Sequence, residues 1–193
     1  MGGGRRPAQL SPATATEFGR QLDAILQVRG DRLAVLKIVD KLPASERQML
    51  PDVVDTVEKL SKRAENLARM LQTMSAGMDE AALPRLDEKI ETLRRQAEGA
   101  ERDRQLGLVE RQRQAFADLT TTRQSIEDQL ESCVLAMQNV RFDLLRLRSA
   151  GVAAVLSDLT QATQQARALS RDVDHAIAAA GEIQEILGQK PQA

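Results

Sequence analysis

The stretch ERDRQLGLVERQRQAFADLTTTRQSIEDQLESCVLAMQNVRFDLLRLRS, Glu101 to Ser149, contains no proline and one glycine, Gly107. Its apolar residues Val109, Phe116, Leu119, Ile126, Leu130, Cys133, Met137, Val140, Leu144 and Leu147 keep a seven-residue register. Only Gln112 and Arg123 place polar groups in core slots. Such a register is the seam of a coiled coil. At about 1.5 Å per residue the helix is roughly 70 Å long, more than a compact domain is wide. It must be a spine along which other segments pack. Polar groups in a seam cost stability and fix register or partner number, or mark where a facing helix stops. Gln112 and Arg123 are therefore the candidate register or interaction positions.

Reading outward from the spine, the segment before it places Leu83, Leu86, Ile90, Leu93 and Ala97 on one face and stops near Gly99. The connection is short, so this helix, about 79–98, is an antiparallel neighbour of the first half of the spine. Asp79 can cap it, and Pro84 lies early enough to remove no helical hydrogen bond. After the spine, Gly151 supplies a stop and a helix over 152–187 follows. Its seam Val152, Val155, Leu159, Ala162, Ala166, Leu169, Val173, Ala176, Ala180, Ile183 and Leu187 steps by three and four. Alanine at four of those positions lets helix axes approach closely, and the spine's second half is the partner it fits.

Towards the N-terminus, Val53, Val57, Leu60, Ala64, Leu67, Leu71 and Met74 form another seam, in a helix about 51–75 opened by Pro51-Asp52 and closed by Gly77. The stretch Ala44 to Leu50 is a helical turn at most, set off by Leu42-Pro43. Ser11-Pro12 is a helix start, and Phe18, Leu22, Ile25, Leu26, Leu33, Leu36 and Val39 recur at helical spacing over 11–42. Gly30-Asp31 interrupts this run, giving one bent helix or two short collinear ones. Residues 1–10 read as a disordered tail and 188–193 as a short one. The fold class is all-α, an elongated antiparallel helical bundle built on one long central helix.

The chain of 193 residues carries 27 basic and 28 acidic residues, a net charge of -1, so no strong field favours nucleic acid or an anionic membrane. Aromatic content is 2%, which leaves no stacking platform beside the arginine-rich faces at Arg102–Arg113 and Arg141–Arg148. No apolar run reaches the length of a membrane span, and no apolar signal core follows Met1. The expected compartment is the cytoplasm. Gly2 lacks the Ser or Thr at position six that myristoylation requires, where Arg6 stands.

His175 is the only histidine, so no imidazole pair is available for a metal or a nucleophile. Carboxylates such as Asp87, Glu88 and Glu91 fit solvated helix faces better than acid–base work. Cys133 sits on the apolar seam, where a buried core thiol is the simpler reading than a reactive one. No catalytic, cofactor-binding or metal site is assigned, and no cofactor is expected. Thr120, Thr121 and Thr122 have low helix propensity and fall just after a core position. Exposed there, they are candidate phosphoacceptors.

The runs Ala136–Gly151 (AMQNVRFDLLRLRSAG) and Leu159–His175 (LTQATQQARALSRDVDH), with Leu42–Val54 (LPASERQMLPDVV), resemble the C-terminal helical region that follows the catalytic domain in some bacterial serine/threonine protein kinases. The resemblance covers most of residues 30–187. The chain has no glycine-rich nucleotide loop, no Val-Ala-Ile-Lys lysine, no His-Arg-Asp loop and no Asp-Phe-Gly, so no kinase site residue carries over. The resemblance implies an accessory, regulatory or oligomerising module associated with such a kinase, acting in signalling. The expectation is a non-catalytic interaction or scaffolding module that binds a protein partner or itself. The alternatives are a free-standing structural coiled coil or chaperone-like clamp, and an amphipathic membrane-surface binder. Narrow seams and mixed charge disfavour the last.

Overall fold

The computed structural model describes residues 16–50, 52–79, 81–150, 157–169 and 171–173, with backbone alone for 148–150. The Ser11-Pro12 start, both tails, His175 and the part of the last helix beyond residue 173 lie outside the described residues.

Among the described residues the chain is helical and holds no strand. A 3-10 turn at Gly19–Gln21 leads into α1 (Leu22–Asp40), followed by the short α2 (Ala44–Met49), α3 (Val53–Gly77), α4 (Ala82–Arg94) and the spine α5 (Ala100–Ala150). Residues 157–169 and 171–173 form a last helix, α6. With 51 residues, α5 is about 75 Å long. α2 is a full six-residue helix, more than the turn expected.

Ion pairs show the directions of the helices. Arg29 Nε meets Glu65 Oε1 at 2.8 Å and Arg32 Nη2 meets Glu58 Oε1 at 2.7 Å, so α1 and α3 run antiparallel. Arg94 reaches Glu110 at 3.0 Å and Arg113 pairs with Asp87, which sets α4 antiparallel to the first half of the spine. Arg146 reaches Asp158 at 3.0 Å, and Asn139 and Gln165 share one groove, so α6 descends beside the second half. The second half is thus one member of a four-helix bundle with α1, α3 and α6. The first half and α4 form a hairpin that projects from the bundle.

Two separate cores follow from this arrangement. The larger one unites Ile25, Leu60, Leu67, Ile126, Leu130, Met137 and Leu144 with Leu159 and Ala166 of α6. The smaller consists of Ile90, Leu93 and Val109, flanked by Leu86 and Leu106. Burying one such aliphatic side chain stabilises by roughly 1.5–3 kcal/mol, so the bundle carries most of the hydrophobic stabilisation. α3 buries the seam Val53, Val57, Leu60, Ala64, Leu67 and Leu71 as its spacing requires.

α1 departs from the sequence reading. Its core line is Phe18, Ile25, Val28, Asp31, Val35, Ile38 and Leu42, while Leu33 is half exposed and Leu26, Leu36 and Val39 flank the seam. The helix runs unbroken through Gly30, which faces open space. The break lies at Gly19 instead, at φ +49, where a Cβ would also collide with the Gln72 side chain. Gly77 ends α3 without a left-handed turn, because the exit is made by Met78 in an extended conformation. Asp79 then accepts the Ala81 N–H at 3.0 Å and pairs with Arg85, which holds the start of α4.

Candidate interaction surface

Between Val109 and Ile126 no residue of the spine is buried, although the heptad continues through this stretch. The pairing of Asp87 with Arg113 on one side, and the approach of Arg63 to Cys133 on the other, set this waist level with the junction between α3 and α4. The first helix to cover the spine has ended there and the second has just begun. Phe116 and Leu119 are only partly covered and join neither core.

The two polar seam positions fall in the waist and behave differently. Gln112 is exposed, so its slot is not a core slot at all. Arg123 is four-fifths buried, and its Nε donates to Glu127 Oε1 one turn along at 3.0 Å. Pairing to its own helix lets Arg123 lay its aliphatic stem along the seam while its charge stays satisfied. Thr120 and Thr121 are exposed and Thr122 is partly covered. Their hydroxyls donate to the carbonyls of Phe116, Ala117 and Asp118 at 2.9, 3.1 and 2.9 Å. Such back-bonding favours slight bending of a helix. Transfer of a phosphoryl group to any of these hydroxyls would first require breaking that bond.

A second exposed strip lies on the outer face of the spine, at Leu135, Phe142 and Leu145, and the Arg141 guanidinium lies 5.8 Å from the centre of the Phe142 ring, an aromatic partner that corrects the expectation of none beside this arginine-rich face. Its accessible area is on the order of 300 Å², ordinary for a monomer and too small for an interface by itself. These residues occupy non-seam heptad positions, the signal by which the sequence shows them facing outward.

Behind the strip, Arg141 makes a contact with a buried carboxylate that the heptad pattern does not announce. Its Nη1 donates to Asp31 Oδ1 at 2.6 Å, and Asp31 is 3% exposed on the core line of α1. The other carboxylate oxygen, Oδ2, is buried without a hydrogen-bond partner. Cys133 is fully buried, and loss of hydration pushes its thiol up to about 12, against a smaller opposing pull from Arg63. It packs within the larger core. Partial burial also raises the Asp143 carboxyl, which Arg146 offsets and Asp158 reinforces.

Among the described residues, no group of three His, Cys, Asp or Glu side chains converges as a metal site would. Nor is any helix there long and apolar enough to cross a membrane. No family model, curated protein or solved structure matches the chain.

Proposed function

We propose that the protein is a non-catalytic helical interaction module whose waist receives a helix from a protein partner. The observation that carries this reading is the uncovered seam: the heptad persists from Val109 to Ile126 while no residue between them is buried. A partner helix laid there would cover Phe116 and Leu119 and meet Gln112 and Arg123 at the polar slots, the helix-in-groove mode of recognition. The likeness of the helical runs to the region behind the catalytic domain of bacterial serine/threonine kinases supports such a kinase as the partner. The threonine run on the same surface is then within reach as a phosphoacceptor.

Affinity purification after brief crosslinking tests the proposal. The native chain is compared with Phe116→Asp/Leu119→Asp and with the milder Gln112→Arg at an exposed position. Recovery of a serine/threonine kinase with the native chain, and its loss with the variants while helicity persists, is the expected result. Equal recovery with all three chains removes the waist from the reading. Recovery of only further copies of the chain replaces it with a self-assembling structural coiled coil.

A further inference from the structure

α6 descends beside the spine in a fixed register. Asp158 stands at Arg146, and seven residues further along α6 Gln165 shares a groove with Asn139, seven residues back along the spine. Six residues beyond Gln165, Arg171 lines one cavity with Arg63, whose charge reaches Cys133, six residues back from Asn139. One residue forward on α6 thus answers one residue back on the spine, as two antiparallel helices of equal rise require.

The last described seam position of α6, Val173, is fully buried in the larger core together with Leu130 and Cys133. Beyond the described residues the seam continues in the sequence as Ala176, Ala180, Ile183 and Leu187. Carried on at the same register, the two alanines fall on either side of Ile126. Ile183 falls level with Thr121, between the seam slots of Leu119 and Arg123, and Leu187 level with Ala117, between Phe116 and Leu119. The sizes suit these places. Alanine meets the stretch where Ile126 and Leu130 are already buried, and the two large aliphatic side chains meet the stretch where Phe116 and Leu119 are only partly covered. Gly188, a residue type that commonly stops a helix, then falls level with Phe116.

We propose that residues 174–187 of this chain occupy the waist, so that a partner helix binds there only by displacing them. The displacement rests on the reading of the waist as an interaction surface, whereas the docking stands on the register alone. Joined directly in sequence to α6, the segment competes at a high effective concentration.

Hydrogen exchange of the full chain, followed peptide by peptide with mass spectrometry, tests the docking. The amides of residues 176–187 are expected to exchange at least about tenfold more slowly than in the same segment as a free peptide. Ile183→Asp/Leu187→Asp and, from the spine side, Phe116→Asp/Leu119→Asp both abolish that protection, because each removes the apolar anchors of one partner, while α1 and α3 stay as protected as in the native chain. Leu135→Asp on the exposed outer strip leaves it unchanged. Free-peptide rates in the native chain overturn the proposal. So does protection that survives the spine substitutions, which puts the segment elsewhere, or protection that disappears on dilution, which puts it on a second copy. Crosslinking purification of the Ile183→Asp/Leu187→Asp chain tests the displacement. Greater recovery of a kinase than with the native chain supports it, and equal recovery overturns it. Recovery of no partner by either chain overturns it together with the interaction reading, while protection lost in both double variants still supports the docking.

Discussion

The buried Asp31–Arg141 pair permits a two-step test of what holds the bundle together. Arg141→Met keeps the aliphatic stem of the side chain and removes the guanidinium that contacts Asp31 at 2.6 Å. Breaking a fully buried ion pair by removing one partner costs about 3–5 kcal/mol, because the remaining charge is left in a low-dielectric site. Asp31 fits that description at 3% exposure, but the Arg141 side chain is 38% exposed, so water recovers part of the loss. The expected destabilisation is therefore about 2–3 kcal/mol. Adding Asp31→Val removes the stranded charge and its unsatisfied Oδ2, and continues the apolar line from Val28 to Val35. Replacing a buried pair by apolar residues of similar volume is neutral or stabilising. The double variant should recover the stability of the native chain or exceed it. Urea unfolding followed by far-UV circular dichroism, with unchanged m-values, reads both steps. A cost below about 0.5 kcal/mol for Arg141→Met would refute the reasoning. So would a double variant no more stable than the single one.

Two further outcomes are expected. Gly19→Ala places an L side chain at φ +49 against Gln72 and should cost about 1–2 kcal/mol, whereas Gly30→Ala, in a helix facing open space, should stabilise by up to about 1 kcal/mol; thermal unfolding of the two proteins side by side must give shifts of opposite sign. Cys133 titrates near 9 when unfolded and at about 12 in the fold, so between those values the unfolded chain releases a proton that the native chain keeps. Stability from this group is then complete below pH 9 and declines as pH rises towards 12, by about 1.4 kcal/mol for each pH step of one between them. Cys133→Val should flatten that alkaline decline, and an equally steep decline in the variant would assign it to other groups.

How far the fold is legible depends on whether a helix's partners are written into its own spacing. α3 steps by three and four from Val53 to Leu71 with nothing polar in the line, and every one of those positions is buried. α1 defeats the same reading because its core line contains Asp31, while Leu33 and Leu36 lie on its flanks. An apolar count follows the flanks. The group that makes Asp31 tolerable in the core is Arg141, 110 residues further along the chain, and no local pattern announces such a partner. The choice between Gly19 and Gly30 as the breaking glycine has the same origin. Gly19 takes a positive φ beside the Gln72 side chain of α3 while Gly30 stays helical, and neither glycine's neighbours in the sequence reveal that difference.

The candidate site shows the complementary limit. The heptad draws a line through Gln112, Phe116, Leu119 and Arg123, of which Gln112 is exposed and the other three are partly covered, because such a line states only that a helix can be covered. Whether it is covered depends on the lengths of the covering helices and the levels at which they begin. α3 stops at Gly77 and α4 starts at Ala82, and the ion pairs that set their levels leave the waist between them. Within that waist the exposed Gln112 costs nothing and Arg123 is stabilised by Glu127 on its own helix, so the polar slots are compatible with a free surface as well as with a bound one. Phe116 and Leu119 are not equivalent in the two states. Their remaining apolar surface gains about 25 cal/mol for each Å² removed from water. That gain is what a partner helix would draw on, and it separates the waist from the charged faces on either side of it.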